Sequence, residues 1–110
     1  MRNNIDKLPY SDTVKEALHR LVEYTVQAIP NVVYIALFGS YARLEQNIRS
    51  DLDILVLVSR DFTIHERALL RDIYENYHAD VVMFTVDDYR ASDSKLVMSM
   101  KEDGILLWKS

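Results

Sequence analysis

The chain has no cysteine, and only two glycines and two prolines among its 110 residues. The first absence excludes thiol nucleophiles, disulfides and thiolate zinc sites. No apolar run reaches the roughly 18 residues that a membrane-spanning helix needs. The start, Met1-Arg2-Asn3-Asn4-Ile5-Asp6, lacks a hydrophobic signal region. With no cysteine either, the expected location is the cytoplasm. Basic charge is also short: 13 Lys and Arg stand against 17 Asp and Glu, a net charge of −4. No basic stripe is visible, so direct binding of a nucleic-acid backbone is not expected. A nucleotide bridged by metal remains open, because the metal then neutralises the phosphates. His19, His65 and His78 lack metal-ligand spacing and are assigned no role. There is no repeat, linker or change of composition that would mark a domain boundary.

What is present is globular. Hydrophobic residues make up 49% of the chain and charged residues are mixed among them. The length suits one domain, 1–110, with a single core. Residues 1–10 are polar and read as a loose arm. Thr13-Val14-Lys15-Glu16 fits a capping box, and Val14, Leu18, Leu21, Val22, Thr25 and Ile29 follow at helical spacing. Pro30 predicts the end of that helix near Ile29. Val32–Phe38 reads as a strand buried on both faces. Gly39-Ser40 ends it, with Ser40 as the cap of a short helix over Tyr41–Glu45. A polar loop, Gln46–Ser50, leads to a second strand over Leu52–Val58.

Thr63-Ile64-His65-Glu66 is another capping box. Leu69, Leu70, Ile73 and Tyr77 continue it as a helix. Asp80–Thr85 reads as a third strand, and a helix is predicted from about Ser94 to Glu102 with Leu96, Val97 and Met100 on its apolar face. Gly104 is placed to close it. Ile105–Trp108 forms a short final strand or a packing tail. Tyr74 and Tyr77 read as packing residues. The alternation of helices and strands predicts α/β layers.

The chemistry concentrates in one pattern. Gly39-Ser40 is followed by ten residues and then Asp51-Leu52-Asp53. Residues two apart on a strand share a face, so Asp51 and Asp53 point the same way. Two carboxylates that close resist joint ionisation unless a cation lies between them. They are hard oxygen ligands of the kind that suits Mg²⁺ or Mn²⁺. Asp80 occupies the same place at the start of the third strand. If the second and third strands are neighbours, three carboxylates meet at one sheet end, as a two-metal site for phosphoryl or nucleotidyl transfer requires. A turn without Cβ lets backbone N–H groups approach a phosphate, and the Ser40 hydroxyl adds a donor. The plainer alternative is that acidic residues at strand ends are simply solvated. Arg43 fits either a triphosphate contact or a surface pair with Glu45 or Asp51. Tyr41 fits either stacking on a base or packing.

Gly39-Ser40-Tyr41-Ala42-Arg43, Ser50-Asp51-Leu52-Asp53-Ile54-Leu55-Val56, and Asp80 ahead of an apolar strand resemble the minimal nucleotidyltransferase (MNT) domain of the DNA polymerase beta-like nucleotidyltransferase superfamily. The likeness spans the first helix to Gly104. The resemblance implies a nucleotidyltransferase fold, a mixed β-sheet of three to four strands flanked by helices, with ATP as substrate and two Mg²⁺ ions, Mn²⁺ being a substitute. Gly39 and Ser40 would hold the β- and γ-phosphates, and Arg43 would steady them. Asp51 and Asp53 would bind metal; Asp80 would complete the metal site and help to activate the acceptor hydroxyl. Small members are similar to antitoxins paired with HEPN-type toxins, whose tyrosine they modify with AMP. One departure is plain: the family commonly has glycine where this chain has Leu44.

Four functions follow as expectations. The first is transfer of AMP to a hydroxyl of a protein acceptor, since a chain of this size has no room for an acceptor domain. The second is an MNT antitoxin with a weak or inactive site that acts by occluding its partner. The third is a small-molecule nucleotidyltransferase, which would need a dimer to build its pocket; homo- and hetero-oligomers are both compatible. The fourth is a structural domain with solvated aspartates. Apolar residues of Ile105–Trp108 or the first helix offer a partner contact, with packing into the core as the favoured reading.

Overall fold

The computed structural model describes residues 2–110, with side chains from Asn4 onward. A two-residue strand β1 (Arg2–Asn3) and a 3₁₀ turn (Ile5–Lys7) precede the long helix α1 (Asp12–Ala28). Strand β2 (Val32–Phe38) runs directly into the four-residue helix α2 (Gly39–Ala42). Then come β3 (Leu52–Val58), α3 (Ile64–Glu75) and β4 (Ala79–Thr85). Helices α4 (Val86–Ala91) and α5 (Lys95–Asp103) and strand β5 (Ile105–Lys109) complete the chain.

The strands form one mixed sheet in the order β1-β5-β2-β3-β4. Strand β2 is antiparallel to both β3 and β5, whereas β3 and β4 are parallel. Parallel neighbours need a crossover, and α3 supplies it. The final segment is therefore a strand and not a tail. It lies between β1 and β2, and Leu107 and Trp108 are buried in the core.

Alternation along the strands divides two cores. Ile54, Val56 and Val58 point to the face covered by α1 and α3, where Leu18, Leu21, Leu70 and Tyr74 pack. Leu55 and Leu57 point to the other face and meet Met100 of α5. Thr25 and Tyr74 tie α1 to α3: their hydroxyl oxygens lie 2.7 Å apart, and the Thr25 hydroxyl also reaches the Leu21 carbonyl oxygen at 2.6 Å. Tyr74 packs, as its helical position predicts; burial raises its phenol pKa, so it stays protonated.

Several boundaries differ from the sequence reading. Ser11, not Thr13, caps α1, with its hydroxyl oxygen accepting from the Val14 N–H at 3.3 Å. Glu16, assigned to a capping box, instead pairs with Arg20 one turn on. The capping box at Thr63 and Glu66 does form, with bonds of 3.0 and 2.9 Å. Ser94 caps α5, and the Gly104 N–H closes it on the Met100 carbonyl oxygen at 2.8 Å. Val97 and Met100 of that helix are buried, but Leu96 is about half exposed. Helix α4 has no counterpart in the sequence reading, although Thr85 caps it by accepting from the Asp88 N–H.

The loose arm is a correction. Ile5, Leu8 and Tyr10 are buried, and Asp6 contacts His19 of α1 at 2.7 Å. Three apolar anchors at irregular spacing carry no periodic signal, yet they bury enough surface to fix the segment. Met1, the first residue of that arm, lies outside the described residues. Among the described residues no helix is long and apolar enough to cross a membrane.

Candidate active site

Strand pairing sets the site. Asp53 lies opposite Phe38 on β2 and opposite Asp80 on β4. Register partners on adjacent strands project to the same face, so Asp53 and Asp80 stand side by side. Both share the thinner face of the sheet with Leu55, Leu57, Val82 and Phe84. Asp51 precedes β3 and is held by an ordered turn. There the Arg49 N–H donates to Asn47 Oδ1 at 2.8 Å, and the Ser50 N–H donates to the Asn47 carbonyl oxygen at 3.0 Å.

The electrostatics single out Asp53. The Asp53 carboxyl pKa is raised, first by burial, then by Asp80, then by Asp51. Arg43 opposes the shift. Among the described residues no group of three His, Asp or Glu side chains is arranged to hold a metal ion by itself. A cation here would need ligands beyond the protein. That suits Mg²⁺, which takes one or two carboxylates and fills its remaining positions with water and substrate phosphate oxygens. A half-buried carboxylate beside two further acids also favours a cation between them. The residues present fit the ion.

Gly39 adopts φ +74°, a conformation that favours glycine. A Cβ at this position would collide with Asp53 Oδ2 and lie 3.0 Å from Asp53 Cγ. The glycine is thus required twice, by the turn and by the carboxylate beside it. Ser40, expected to cap the short helix, instead lies within it: Phe38 takes the cap position and α2 ends at Ala42. Helix α2 then closes in a Schellman turn. The Glu45 N–H donates to the Ser40 carbonyl oxygen at 2.8 Å and the Leu44 N–H to the Tyr41 carbonyl oxygen at 3.1 Å. Leu44 takes the left-handed position of that turn, φ +57°, where glycine is usual.

Arg43 Nε donates to Glu45 Oε1 at 2.9 Å, the surface pair that was one of its two expected roles. Tyr41 packs edge-on against Tyr10, with ring centroids 5.6 Å apart. The Tyr10 phenol donates to the Tyr41 carbonyl oxygen at 2.6 Å. The N-terminal segment therefore braces the helix that follows the glycine–serine turn.

Sequence reasoning missed a cleft of about 440 Å³ beside the carboxylates. Asp51 and Asp80 line it together with Arg71, Tyr74, Glu75 and His78 from the end of α3 and the turn after it. No local motif marks those residues. They reach the site because the α3 crossover ends where β4 begins. The helical pairing of Arg71 with Glu75 was the one signal that could have placed both on a single face.

Three comparisons bear on this geometry. The family model described as polymerase beta, nucleotidyltransferase, matches residues 20–110. A search of curated proteins found no match. Among solved structures, a toxin–antitoxin complex with AMP-PNP is similar, at TM-score 0.65 and 26% identity over 84% of this chain and 73% of that one. A tri-AMPylated Shewanella oneidensis HEPN toxin in complex with MNT antitoxin gives TM-score 0.62 and 23% identity, over 87% of this chain and 72% of that one. A MntA–HepT toxin–antitoxin gives 0.61 and 22%, over 87% and 73%. Fold, motif and family model agree: the chain belongs to the polymerase beta nucleotidyltransferase family.

Proposed function

We propose that this nucleotidyltransferase moves AMP from ATP to a hydroxyl group on a protein acceptor, as the antitoxin of a HEPN/MNT pair. The single observation that carries the reading is the pairing of Asp53 with Asp80 in parallel register, beside Asp51 and beside a glycine whose replacement would push a Cβ into the Asp53 carboxylate. The resemblance to toxin–antitoxin complexes, one with AMP-PNP and one with a tri-AMPylated toxin, supports the choice of nucleotide and acceptor.

In this reading the Gly39–Ser40 turn receives the β- and γ-phosphates, with the close approach that a missing Cβ allows. Arg43 is a peripheral contact, because its Nε is engaged with Glu45. Asp51, Asp53 and Asp80 would hold two Mg²⁺ ions, which when bound neutralise charge at the α-phosphate and at the leaving group. The acceptor oxygen forms a bond to the α-phosphorus while the bond to the β-phosphate oxygen breaks, and pyrophosphate leaves with the electron pair. Asp80, the most accessible of the strand-held carboxylates, takes or relays the acceptor proton. The reaction belongs in the cytoplasm, in keeping with a chain without cysteine.

The test is incubation with ATP labelled at the α-phosphate, Mg²⁺ and the protein encoded beside this one. The expected result is label on the partner, lost in Asp51→Asn and Asp53→Asn. A tight complex without label would favour occlusion instead. The observation on that side is Leu44, which holds a left-handed conformation at a position where the family commonly has glycine.

A further inference from the structure

The family model begins at residue 20, so the residues before it, Tyr10 among them, lie outside the match. They are nevertheless built into the sheet and the core. Strand β1 pairs with β5, and Ile5, Leu8 and Tyr10 are buried. Tyr10 reaches across 31 residues of sequence to α2, where its phenol donates to the Tyr41 carbonyl oxygen at 2.6 Å. The two rings meet edge-on. Burial raises the Tyr10 phenol pKa, so the group remains a donor across the neutral range.

Helix α2 cannot set its own position. A single turn is far shorter than a helix needs to persist by itself in water, and none of its residues is fully buried. The carbonyl oxygens of Gly39, Ser40 and Tyr41 accept from the N–H groups of Arg43, Glu45 and Leu44. Those bonds are local: they shape the turn without tying it to the rest of the molecule. Among the described residues, the one side-chain hydrogen bond made to α2 comes from Tyr10. The same short helix carries Gly39 and Ser40, and Asp53 Oδ2 occupies the space that a Cβ on Gly39 would take. A shift of α2 therefore moves the turn relative to the carboxylate. Displacements of about 1 Å are enough to spoil a site of this kind.

We infer that Tyr10 is a positioning residue for the nucleotide: its bond to the Tyr41 carbonyl holds α2, and with it the Gly39–Ser40 turn, in the arrangement that receives the triphosphate. The inference rests on the phosphate role proposed for that turn. Tyr10 touches no substrate in this scheme and acts through the backbone of α2.

The experiment compares wild type with Tyr10→Phe, which removes the phenol oxygen and keeps the ring against Tyr41. Thr25→Val is the matched control, since it removes a buried hydroxyl that joins α1 to α3 and leaves α2 alone. Amide hydrogen exchange is followed on the free proteins, and calorimetry measures their affinity for a non-hydrolysable ATP analogue with Mg²⁺. In Tyr10→Phe, exchange at the amides of Arg43, Leu44 and Glu45 is expected to quicken by roughly threefold to tenfold, as the loss of one hydrogen bond predicts. The dissociation constant for the analogue rises by a similar factor. Thr25→Val lowers the melting temperature but leaves those amides and the affinity within about twofold, because local opening of α2 does not break the bond it removes. Unchanged exchange in Tyr10→Phe, unchanged affinity, or an equal loss of affinity in both variants overturns the inference. If wild type binds no analogue, the phosphate role of the turn fails by itself. Exchange then decides alone: quickening at Arg43, Leu44 and Glu45 supports the hold of Tyr10 on α2, and its absence overturns it.

Discussion

Asp53 is the residue on which the most forces converge. Its carboxyl pKa is raised by burial and by two neighbouring acids, so the folded state holds its proton to higher pH than the unfolded chain does. The stability contributed by this group is therefore present below the ordinary carboxylate range and lost as pH rises through the raised value. At neutral pH its charge is a cost. Asp53→Asn is expected to melt above wild type at pH 7, with the difference vanishing as pH falls through the carboxylate range. Mg²⁺ should reverse the order by stabilising wild type more than the variant. Thermal scans at several pH values, with Mg²⁺ and with chelator, check both parts. The pattern of Gly39, Ser40, Asp51, Asp53 and Asp80 was legible in sequence because strand ends and period-two spacing place side chains without further information. The clash awaiting a Cβ at Gly39 was not, because it depends on how β2 and β3 are paired.

At the scale of elements, the helix after the glycine–serine turn is the least conventional part. Four residues make a single turn, and its end depends on Leu44 in a conformation that disfavours a side chain. Leu44 is largely exposed, so little burial is lost when it is replaced. Leu44→Gly is expected to stabilise the protein by about 0.5–1 kcal/mol, the relief of left-handed strain exceeding the added unfolded-state entropy. Urea unfolding checks it; a lower midpoint would show that the leucine contributes contacts not visible at its surface position. Helices with regular apolar spacing and a clear cap, such as α3 with Thr63 and Glu66, were readable from the chain. Two kinds of element were not. The segment at Ile5, Leu8 and Tyr10 has no period, and α4 is too short to show one. Tyr10 matters most among these, since its phenol supports the backbone of α2 from a segment that looked like solvent-exposed chain.

For the molecule as a whole, the sheet order is what brings the aspartates together as a candidate site. The α/β class followed from the alternation of elements, and the mixed sheet from the family resemblance. Which strands pair did not follow from either: the parallel pairing of β3 with β4, and the placing of β5 between β1 and β2, depend on contacts distant in sequence. That parallel pairing sets Asp80 beside Asp53 and opens the cleft at the end of α3. The account therefore stands or falls on whether metal and nucleotide occupy the place where the strands converge. A crystal grown with Mn²⁺ and a non-hydrolysable ATP analogue, examined by anomalous scattering, measures this directly. The account predicts metal with ligand distances of about 2.1 Å to carboxylate oxygens of Asp51 and Asp53, with Asp80 sharing one ion and the triphosphate on the Gly39–Ser40 turn. Metal bound elsewhere, or a nucleotide bound without these three side chains, would contradict it.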